Sequence, residues 1–484
     1  MGVLSDIEPK EVFKYFEEIS RIPRGSHNTA AVSSYLYKFG VDNGFDSRQD
    51  ELGNVVIHVP ATKGYEDKKG VILQGHMDMV CEKASDSKHD FTKDPLDLRV
   101  MDDEIFAGGT TLGGDNGIAL AFAMAAAMDK DLKHPPLELI FTVDEEVGME
   151  GAAGLDTSDI NAGYMLNLDT EDEGEFVVSS AGGLNAVMSV PVKYRKLSGE
   201  EYKIIISGLK GGHSGTEIDG YHANAIIIMG RLLHFLRSKG VDFNISNLDG
   251  GLMNNAIPRD AECSLILTDG DRDSFEGLIN EFESTIKNEY RANENNIMIY
   301  PDYKGKAERE VLRKKHEERV IFLMNTVPDG VQRMSQEEAT RGLVETSLNN
   351  GIMRLSEKDF YLNASVRSSI SSAKQALSDK LRYLTETIGG TYEANGDYPA
   401  WEFNDDSYLL KKCIEVFKKQ YGREPKVVGI HAGIECGLFY EKMPGLDIIS
   451  IGPDMKGVHT PQEKLYIGSV KRTWEFLKGI LEAL

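Results

Sequence analysis

The feature that most constrains this chain is a series of short apolar segments, each followed closely by a histidine or by acidic residues. The first segment, 70–73, leads directly into Gln74-Gly75-His76-Met77-Asp78. In an extended chain, residues two positions apart point to the same face, so His76 and Asp78 project together. An Asp beside a His either ligates a metal ion with it or accepts the proton of its second ring nitrogen. A lone His-x-Asp pair is also typical of a polar surface turn, so the interpretation depends on the other segments.

The same pattern recurs further along the chain. Segments 137–143, 164–168 and 446–451 read as buried strands, and the polar residues after them are Asp144, Glu145, Glu146, Asp169 and His459. Three consecutive acids repel one another at a surface turn, whereas around a divalent cation they become favourable, because the ion is the largest local charge. In open α/β sheets, ligands bind outside the carboxyl ends of the strands. These side chains are therefore predicted to meet in one crevice.

A glycine-rich loop, 108–117, precedes an apolar helix predicted at 118–128. The loop has neither the Gly-Lys-Ser/Thr nor the Gly-x-Gly-x-x-Gly pattern of phosphate-binding loops. It carries Asp115, and an Asp at the start of a helix is often only a cap. Because acids also follow the neighbouring strands, we expect Asp115 to face the same crevice. The helix is too short to span a bilayer and is predicted to be buried.

This combination of residue types predicts a metal centre. Two histidines and several carboxylates, with no cysteine among them, suit zinc, manganese or cobalt in a catalytic rather than a structural site. There are too many acids for one four-coordinate ion, which indicates two metals that share a carboxylate, roughly 3.5–4 Å apart, and activate a water for hydrolysis. One carboxylate must stay off the metals to accept the proton of that water. The adjacent Glu145 and Glu146 can divide these two roles, because neighbouring side chains diverge.

The chain is predicted to be an α/β protein of two domains. Its 484 residues exceed what a single hydrophobic core normally organises. We expect a discontinuous metal-binding domain at 1–183 and 399–484, and an inserted α+β domain at 184–398. The insert reads as one βαββαβ unit of ferredoxin-like order and a rougher second copy from 319 to 393. The strongly charged segment 305–319 between them is predicted to be an exposed linker or helix.

Charge and cysteine content exclude several classes of function. A formal net charge of -24 argues against nucleic acid or an anionic membrane surface as the partner. The four cysteines are scattered, which is typical of a protein in a reducing compartment. The first ten residues show neither the basic start nor the apolar core of a signal peptide. A cytoplasmic protein is therefore expected.

Taken together, the motifs resemble those of the co-catalytic zinc exopeptidase and aminoacylase family, which includes carboxypeptidase G and the carnosine dipeptidases. The likeness covers nearly the full length and is strongest to the bacterial aminoacyl-histidine dipeptidases. The motifs that carry it are 75–78 (GHMD), 113–117 (GGDNG), 144–148 (DEEVG), 211–215 (GGHSG) and 431–437 (HAGIECG). The resemblance implies a zinc-exopeptidase-like catalytic domain with a central mixed sheet and an inserted lid domain. It also implies that two divalent ions, zinc or else manganese or cobalt, support hydrolysis of dipeptides such as β-Ala-His.

The resemblance further implies a role for each residue of the metal centre. Asp115 would bridge the two metals, and its peptide bond to Asn116 would be cis. The remaining ligands would be His76 and Asp169 for one metal, and Glu146 and His459 for the other. Glu145 would be the general base, and Asp78 would orient His76.

Substrate-binding roles are implied for residues of the inserted domain and for one glycine near the C-terminus. His213 would stabilise the oxyanion, and Arg367 would bind the substrate's terminal carboxylate, for which a guanidinium is suited. Asn255 and Gly433 would contact the substrate. Without the resemblance, His213 is a histidine in a glycine-rich loop and Arg367 a strand residue in a salt bridge.

Two alternatives to a dipeptidase remain open. The same metal centre is compatible with an aminoacylase or a tripeptidase. A catalytically inactive peptide-binding relative is the alternative from another class, although a binder has no need of the base Glu145. In each case the partner is a small peptide or a related molecule, and the chain is expected to be a monomer or a homodimer.

Overall fold

The computed structural model describes residues 2–268, 272–338 and 340–484, and the chain forms two compact units. The first unit comprises Met1–Ser179, Phe403–Gly429 and Ile434–Leu484, and the second comprises Ser180–Glu402 and Ile430–Gly433. The second unit thus begins and ends a few residues outside the predicted 184–398. It also takes in Ile430–Gly433, which the sequence analysis had assigned to the first domain, because the Ala181 amide donates to the Ile430 carbonyl.

The secondary structure of the described residues alternates helices and strands. The α-helices are α1 (Lys10–Ser20), α2 (Ala30–Asp42), α3 (Gly114–Met128), α4 (Glu150–Gly154), α5 (Ala225–Ser238), α6 (Arg272–Glu289), α7 (Lys314–Thr326), α8 (Ser371–Thr387), α9 (Tyr408–Tyr421), α10 (Glu435–Lys442) and α11 (Ile467–Ala483). The strands are β1 (Asp46–Gln49), β2 (Val55–Val59), β3 (Val71–His76), β4 (Leu98–Met101), β5 (Glu104–Ala107), β6 (Leu137–Thr142), β7 (Tyr164–Asn167), β8 (Glu175–Ser180), β9 (Gly182–Pro191), β10 (Tyr194–Ser207), β11 (Phe243–Gly250), β12 (Ala261–Leu267), β13 (Met298–Leu312), β14 (Gly330–Met334), β15 (Val344–Leu355), β16 (Asp359–Ser368), β17 (Thr391–Tyr398), β18 (Lys426–Ile430), β19 (Asp447–Ser450), β20 (Met455–Lys456) and β21 (Lys464–Tyr466).

The first unit is built on a mixed sheet with the strand order β1-β2-β6-β3-β7-β19-β8-β18. Its centre is parallel, because β3 pairs in parallel with both β6 and β7, and β7 pairs in parallel with β19. Every residue of β3 and β6 is buried, which is why both segments read as continuous apolar runs. Parallel strands end at the same edge, so the residues that follow them are brought together there. The predicted α/β class with a central mixed sheet is confirmed.

Helix α3 packs in the core of the first unit. Its residues from Ile118 to Ala126 are buried on every side, together with α1 residues such as Phe13 and Phe16. A helix that is apolar around its whole circumference is one that is buried on all faces, as the sequence predicted. Among the described residues, no helix combines the length and the apolar character needed to cross a membrane.

The second unit contains a single large sheet made of two βαββαβ units. One is β10-α5-β11-β12-α6-β13, with the strand order β13-β10-β12-β11. The other is β9-α7-β15-β16-α8-β17, with the strand order β17-β9-β16-β15. Strands β11 and β15 pair antiparallel and join the two halves edge to edge. The predicted second copy begins at Arg319, whereas in the structure its first strand, β9, precedes the whole of the first copy. The first copy is inserted between β9 and α7.

The charged segment 305–319, predicted to be an exposed linker or helix, is strand up to Leu312 and helix from Lys314. The linker alternative is wrong, and the helix alternative holds only for the end of the segment. Strand β13 runs to Leu312 and pairs with β10 as far as Tyr194, and α7 begins soon afterwards. The charges are accommodated across the strand pair: Arg309 donates to both carboxylate oxygens of Glu201, at 2.8 and 2.9 Å. Because both faces of this part of the hairpin are largely exposed, it lacks the apolar alternation by which strands are recognised.

Strand β3 should be sensitive to loss of volume. Leu73 is fully buried at its centre, so Leu73→Ala is expected to lower the free energy of unfolding by roughly 2–5 kcal/mol through lost burial and a cavity. Urea unfolding of the purified proteins measures the change. The control is Leu252→Ala, since Leu252 is 88% exposed and its replacement should cost less than about 0.5 kcal/mol. Equal effects of the two substitutions would contradict the assignment of β3 to the core.

Candidate metal centre

His76, the last residue of β3, lies at the centre of the predicted cluster. Its ring is buried, and its Nε2 atom is 3.1 Å from Oδ1 of Asp115 and 3.5 Å from Oδ1 of Asp169. Asp169 follows β7, the parallel neighbour of β3, so sheet register alone brings these two side chains to the same edge. The structure thus places His76, Asp115 and Asp169 together.

Asp115 faces a second histidine with its other carboxylate oxygen. Oδ2 of Asp115 is 3.0 Å from Nε2 of His459, and the same nitrogen is 2.9 Å from Oε1 of Glu146. The carboxylate therefore lies between two groups, one with His76 and Asp169 and the other with His459 and Glu146. The Asp115–Asn116 peptide bond is cis, which confirms that prediction.

Asp78 organises both the histidine and the acidic turn. Its carboxylate forms an ion pair with Nδ1 of His76 at 3.4 Å. It also accepts hydrogen bonds from the backbone amides of Glu145 and Glu146, at 3.0 and 3.3 Å. Asp78 is completely buried, and it also accepts a hydrogen bond from the hydroxyl of Ser26. A single buried carboxylate thus holds the ring of His76 and the turn that carries Glu145 and Glu146.

The electrostatics of the cluster are those of a site built for cations. Burial, with the nearby Asp115 and Glu146, raises the pKa of Asp169 to about 6. Burial likewise raises the pKa of Glu145 well above its usual value. Hydrogen bonds to Asp115 and Glu146 raise the pKa of His459 to about 10. Buried carboxylates at this density are costly unless positive charge offsets them.

The donor set fits divalent metal ions. Imidazole and carboxylate groups suit zinc, manganese and cobalt, and no cysteine belongs to the cluster. One ligand atom from each of His76, Asp115 and Glu146 lies within 4.8 Å of the other two, a spacing compatible with metal ligation. His459 is about half exposed, which leaves the cluster open to solvent on that side.

Two residues that the sequence analysis missed hold the loop that carries Asp115. Both carboxylate oxygens of Glu463 accept hydrogen bonds from four successive backbone amides, those of residues 112–115, at 2.7, 3.0, 2.8 and 3.3 Å. The guanidinium of Arg24, also buried, donates to the carbonyls of Met77, Asp78 and Gly113. Neither residue lies in a motif near the loop, so no local pattern reveals them.

The predicted substrate-binding residues lie in the second unit. The Ser214 amide donates to the Asn255 carbonyl at 2.9 Å, so Asn255 adjoins the loop that carries His213. A Cβ atom on Gly215 would be 3.1 Å from the His213 ring and 3.3 Å from Nε of Arg367, so these two side chains are close. Gly433 lies against the ring of Tyr398. The structure thus gathers His213, Asn255 and Arg367 into one neighbourhood.

Arg367 is not in a surface salt bridge, and that alternative is wrong. Its side chain is buried in β16 at 8% exposure, and its Nη1 atom donates to the hydroxyl of Tyr398 at 2.8 Å. Among residues 2–268, 272–338 and 340–484, no carboxylate lies within ion-pair distance of it, and its Nε has no hydrogen-bond acceptor. A buried guanidinium without a counter-charge is characteristic of a binding site for an anion.

Glu463 should act as a positioning residue for the metal centre. In Glu463→Gln, one of the two oxygens becomes an NH₂ group that faces backbone donors, so the loop carrying Asp115 should shift. We expect metal affinity, measured by competition with a chelator, to fall about 10- to 100-fold, as for other residues that orient metal ligands. Gln462→Ala, an exposed neighbour, is the control and should bind metal normally. Unchanged affinity in Glu463→Gln would refute this role.

Comparison with known proteins identifies the family. The family model described as "Peptidase family M20/M25/M40" matches residues 72–483. A cytosol non-specific dipeptidase from Escherichia coli K12 is 35% identical, over 100% of this chain and 99% of that protein. The crystal structure of aminoacylhistidine dipeptidase from Vibrio alginolyticus superposes with a TM-score of 0.93 at 36% identity, covering 99% of this chain and 98% of that one. Aminopeptidase PepT from Bacillus cereus shares the fold, with a TM-score of 0.56 at 19% identity and 99% of each chain covered. The predicted family is thereby confirmed, and this chain belongs to Peptidase family M20/M25/M40.

Proposed function

We propose that this chain is a metal-dependent dipeptidase that hydrolyses unblocked dipeptides, among them Xaa-His peptides such as β-Ala-His. The observation that carries the proposal is the carboxylate of Asp115, whose two oxygens face two different histidines, each paired with a further carboxylate. The names of the Escherichia coli and Vibrio relatives, which match this chain over its whole length, support a dipeptide as substrate. The first of those names also supports a cytoplasmic location.

The residues of the centre would hold two divalent cations, zinc in our proposal and manganese or cobalt as alternatives. His76 and Asp169 would bind one cation, His459 and Glu146 would bind the other, and Asp115 would bind both. When bound, such a pair of ions lowers the pKa of a water molecule and polarises the scissile carbonyl. Asp78 keeps the His76 ring in the orientation that presents Nε2 to the site.

Glu145 is the proposed general base. Its backbone is fixed by the hydrogen bond to Asp78, while its carboxylate forms no ion pair with His76 or His459 within the described part of the chain. It is therefore free to accept the proton of the attacking water and to deliver it to the leaving amine. The neighbouring Glu146 contacts His459 instead, so the two adjacent glutamates divide the roles of base and ligand.

The second unit supplies the groups that recognise the substrate in this proposal. Arg367 binds the terminal carboxylate, because its guanidinium is buried and forms no ion pair with any described carboxylate. His213 stabilises the negative charge that develops on the carbonyl oxygen, and Asn255, in the adjoining loop, contacts the same substrate. Burial and the nearby Arg367 lower the pKa of His213, so it acts as a neutral hydrogen-bond donor.

Substitution of the two glutamates should separate catalysis from metal binding. We expect Glu145→Gln to keep its metal content and to lose about 10²–10⁴-fold in kcat, the usual contribution of a general base. Glu146→Ala and Asp115→Ala should lose metal, measured by elemental analysis after dialysis. Glu150→Gln, an exposed glutamate on α4, is the matched control and should retain both properties. Near-normal turnover in Glu145→Gln would exclude it as the base.

A substrate panel tests the proposed function directly. The metal-free enzyme is reconstituted with zinc, manganese or cobalt and assayed on β-Ala-His, other dipeptides, tripeptides and N-acetyl amino acids. We expect metal-dependent turnover of dipeptides. For tripeptides and N-acetyl amino acids, kcat/KM should be at least about tenfold lower than for dipeptides, because the loss of one interaction of about 1.4 kcal/mol lowers it tenfold. Preference for N-acetyl amino acids would favour an aminoacylase, and binding without turnover an inactive relative.

A further inference from the structure

A row of four residues crosses the sheet of the second unit beside Arg367. Residue Tyr398 of β17 pairs with Gly183 of β9, Gly183 pairs with Arg367 of β16, and Arg367 pairs with Ser347 of β15. Residues directly opposite one another in paired strands share a face of the sheet. Arg367 therefore has a tyrosine on one side, across a glycine, and a serine on the other.

The row continues beyond Ser347 into the segment Ile430–Gly433. The hydroxyl of Ser347 is 2.7 Å from Nε2 of His431. Burial and the nearby Arg367 lower the pKa of His431 to about 3, so its ring is neutral. Arg367 thus has neutral hydrogen-bonding groups on both sides, and among the described residues no carboxylate forms an ion pair with it.

The hydroxyl of Tyr398 can donate a hydrogen bond. Arg367 donates to this oxygen, so the phenolic hydrogen is not used in that contact and can be donated to a further acceptor. Tyr398 is half-buried, and its carbonyl accepts a hydrogen bond from the ammonium of Lys374 at 2.6 Å. Its hydroxyl therefore lies next to the guanidinium, on a backbone that is held in place.

Two glycines make room for the ring of Tyr398. A Cβ atom on Gly183 would lie 2.4 Å from its hydroxyl oxygen, and a Cβ atom on Gly433 would lie 2.6 Å from its Cε2 atom. Real Cβ atoms do not approach other atoms so closely, so neither position accepts a side chain unless the ring moves. Both glycines have negative φ, and no backbone conformation requires them. Their absence of a side chain is explained by the position of Tyr398.

We propose that Tyr398 is a further substrate-binding residue, which together with Arg367 receives the terminal carboxylate of the dipeptide. This inference rests on the proposed function and adds a second donor to it. A carboxylate that accepts from both a guanidinium and a phenol is bound more tightly and in one orientation. Gly433, which the resemblance assigned to substrate contact, acts through Tyr398: it keeps the space that the ring occupies.

The test compares each dipeptide with its C-terminal amide. In Tyr398→Phe, the ring and its packing stay and only the hydroxyl is removed. We expect KM for Ala-His to rise about 10- to 100-fold, the loss typical of a hydrogen bond to a charged group, with kcat changed less than about threefold. KM for Ala-His amide, which has no carboxylate, should rise much less, by no more than about threefold, because a neutral carbonyl oxygen is a weaker acceptor for the phenol than a carboxylate. Tyr392→Phe is the matched control, because Tyr392 lies on the same strand and its hydroxyl bonds to Ser378 instead.

Gly433→Ala provides a second, independent perturbation of the same group. The added methyl must displace the ring of Tyr398, so the acid substrate should again be affected and the amide much less. A general folding defect would change KM for the acid and for the amide alike. If both variants behave in this way, the proposal is wrong. An unchanged ratio of KM values for acid and amide in Tyr398→Phe would also overturn it. Failure of the proposed function is distinguishable, because the wild-type enzyme would then not hydrolyse Ala-His at all.

Discussion

The contact on which the metal centre depends is the carboxylate of Glu463 with four successive amides of the glycine-rich loop. That loop carries Asp115, the residue that stands between the two histidines. A loop rich in glycine has many accessible conformations, and its backbone donors are costly when buried without partners. The buried carboxylate of Glu463 both restricts the loop to one conformation and accepts hydrogen bonds from its backbone amides. With the loop fixed in this way, Asp115 is held in position for the other residues of the acidic cluster.

On the other side of the cluster, Asp78 likewise holds several groups with one carboxylate. The carboxylate of Asp78 holds the ring of His76 and the two amides of the acidic turn. Burial raises the pKa of Asp78, but the hydrogen bonds and charge of His76 outweigh this effect, and the pKa is lowered. Asp78 therefore stays ionised, which is the state that can accept the proton of His76. The metal centre is thus framed by buried carboxylates that are themselves hydrogen-bonded.

Much of the first unit could be predicted, because the sequence patterns that identify its strands and acidic residues are local. Strands β3, β6 and β7 are buried on both faces and so read as apolar runs, and parallel pairing brings their ends together. Glu463 could not be found in this way, since its partners lie far away in the sequence and it has no motif of its own. The interrupted second copy in the other unit was misjudged for the same reason. Its first strand, β9, pairs with β16 and β17 across the whole inserted copy, and only tertiary pairing reveals it.

The two units carry opposite electrostatic demands. The first gathers carboxylates that require cations, whereas the second buries a guanidinium that requires an anion. In a chain with a net charge of -24, long-range attraction does not draw a carboxylate ligand in, and exposed charges are screened beyond about 8–10 Å at moderate salt. In our proposal, recognition of an acid therefore comes from short-range contacts, where Arg367 and the hydroxyl of Tyr398 meet. A peptide with a free terminal carboxylate then satisfies the requirement of Arg367, and a blocked peptide does not.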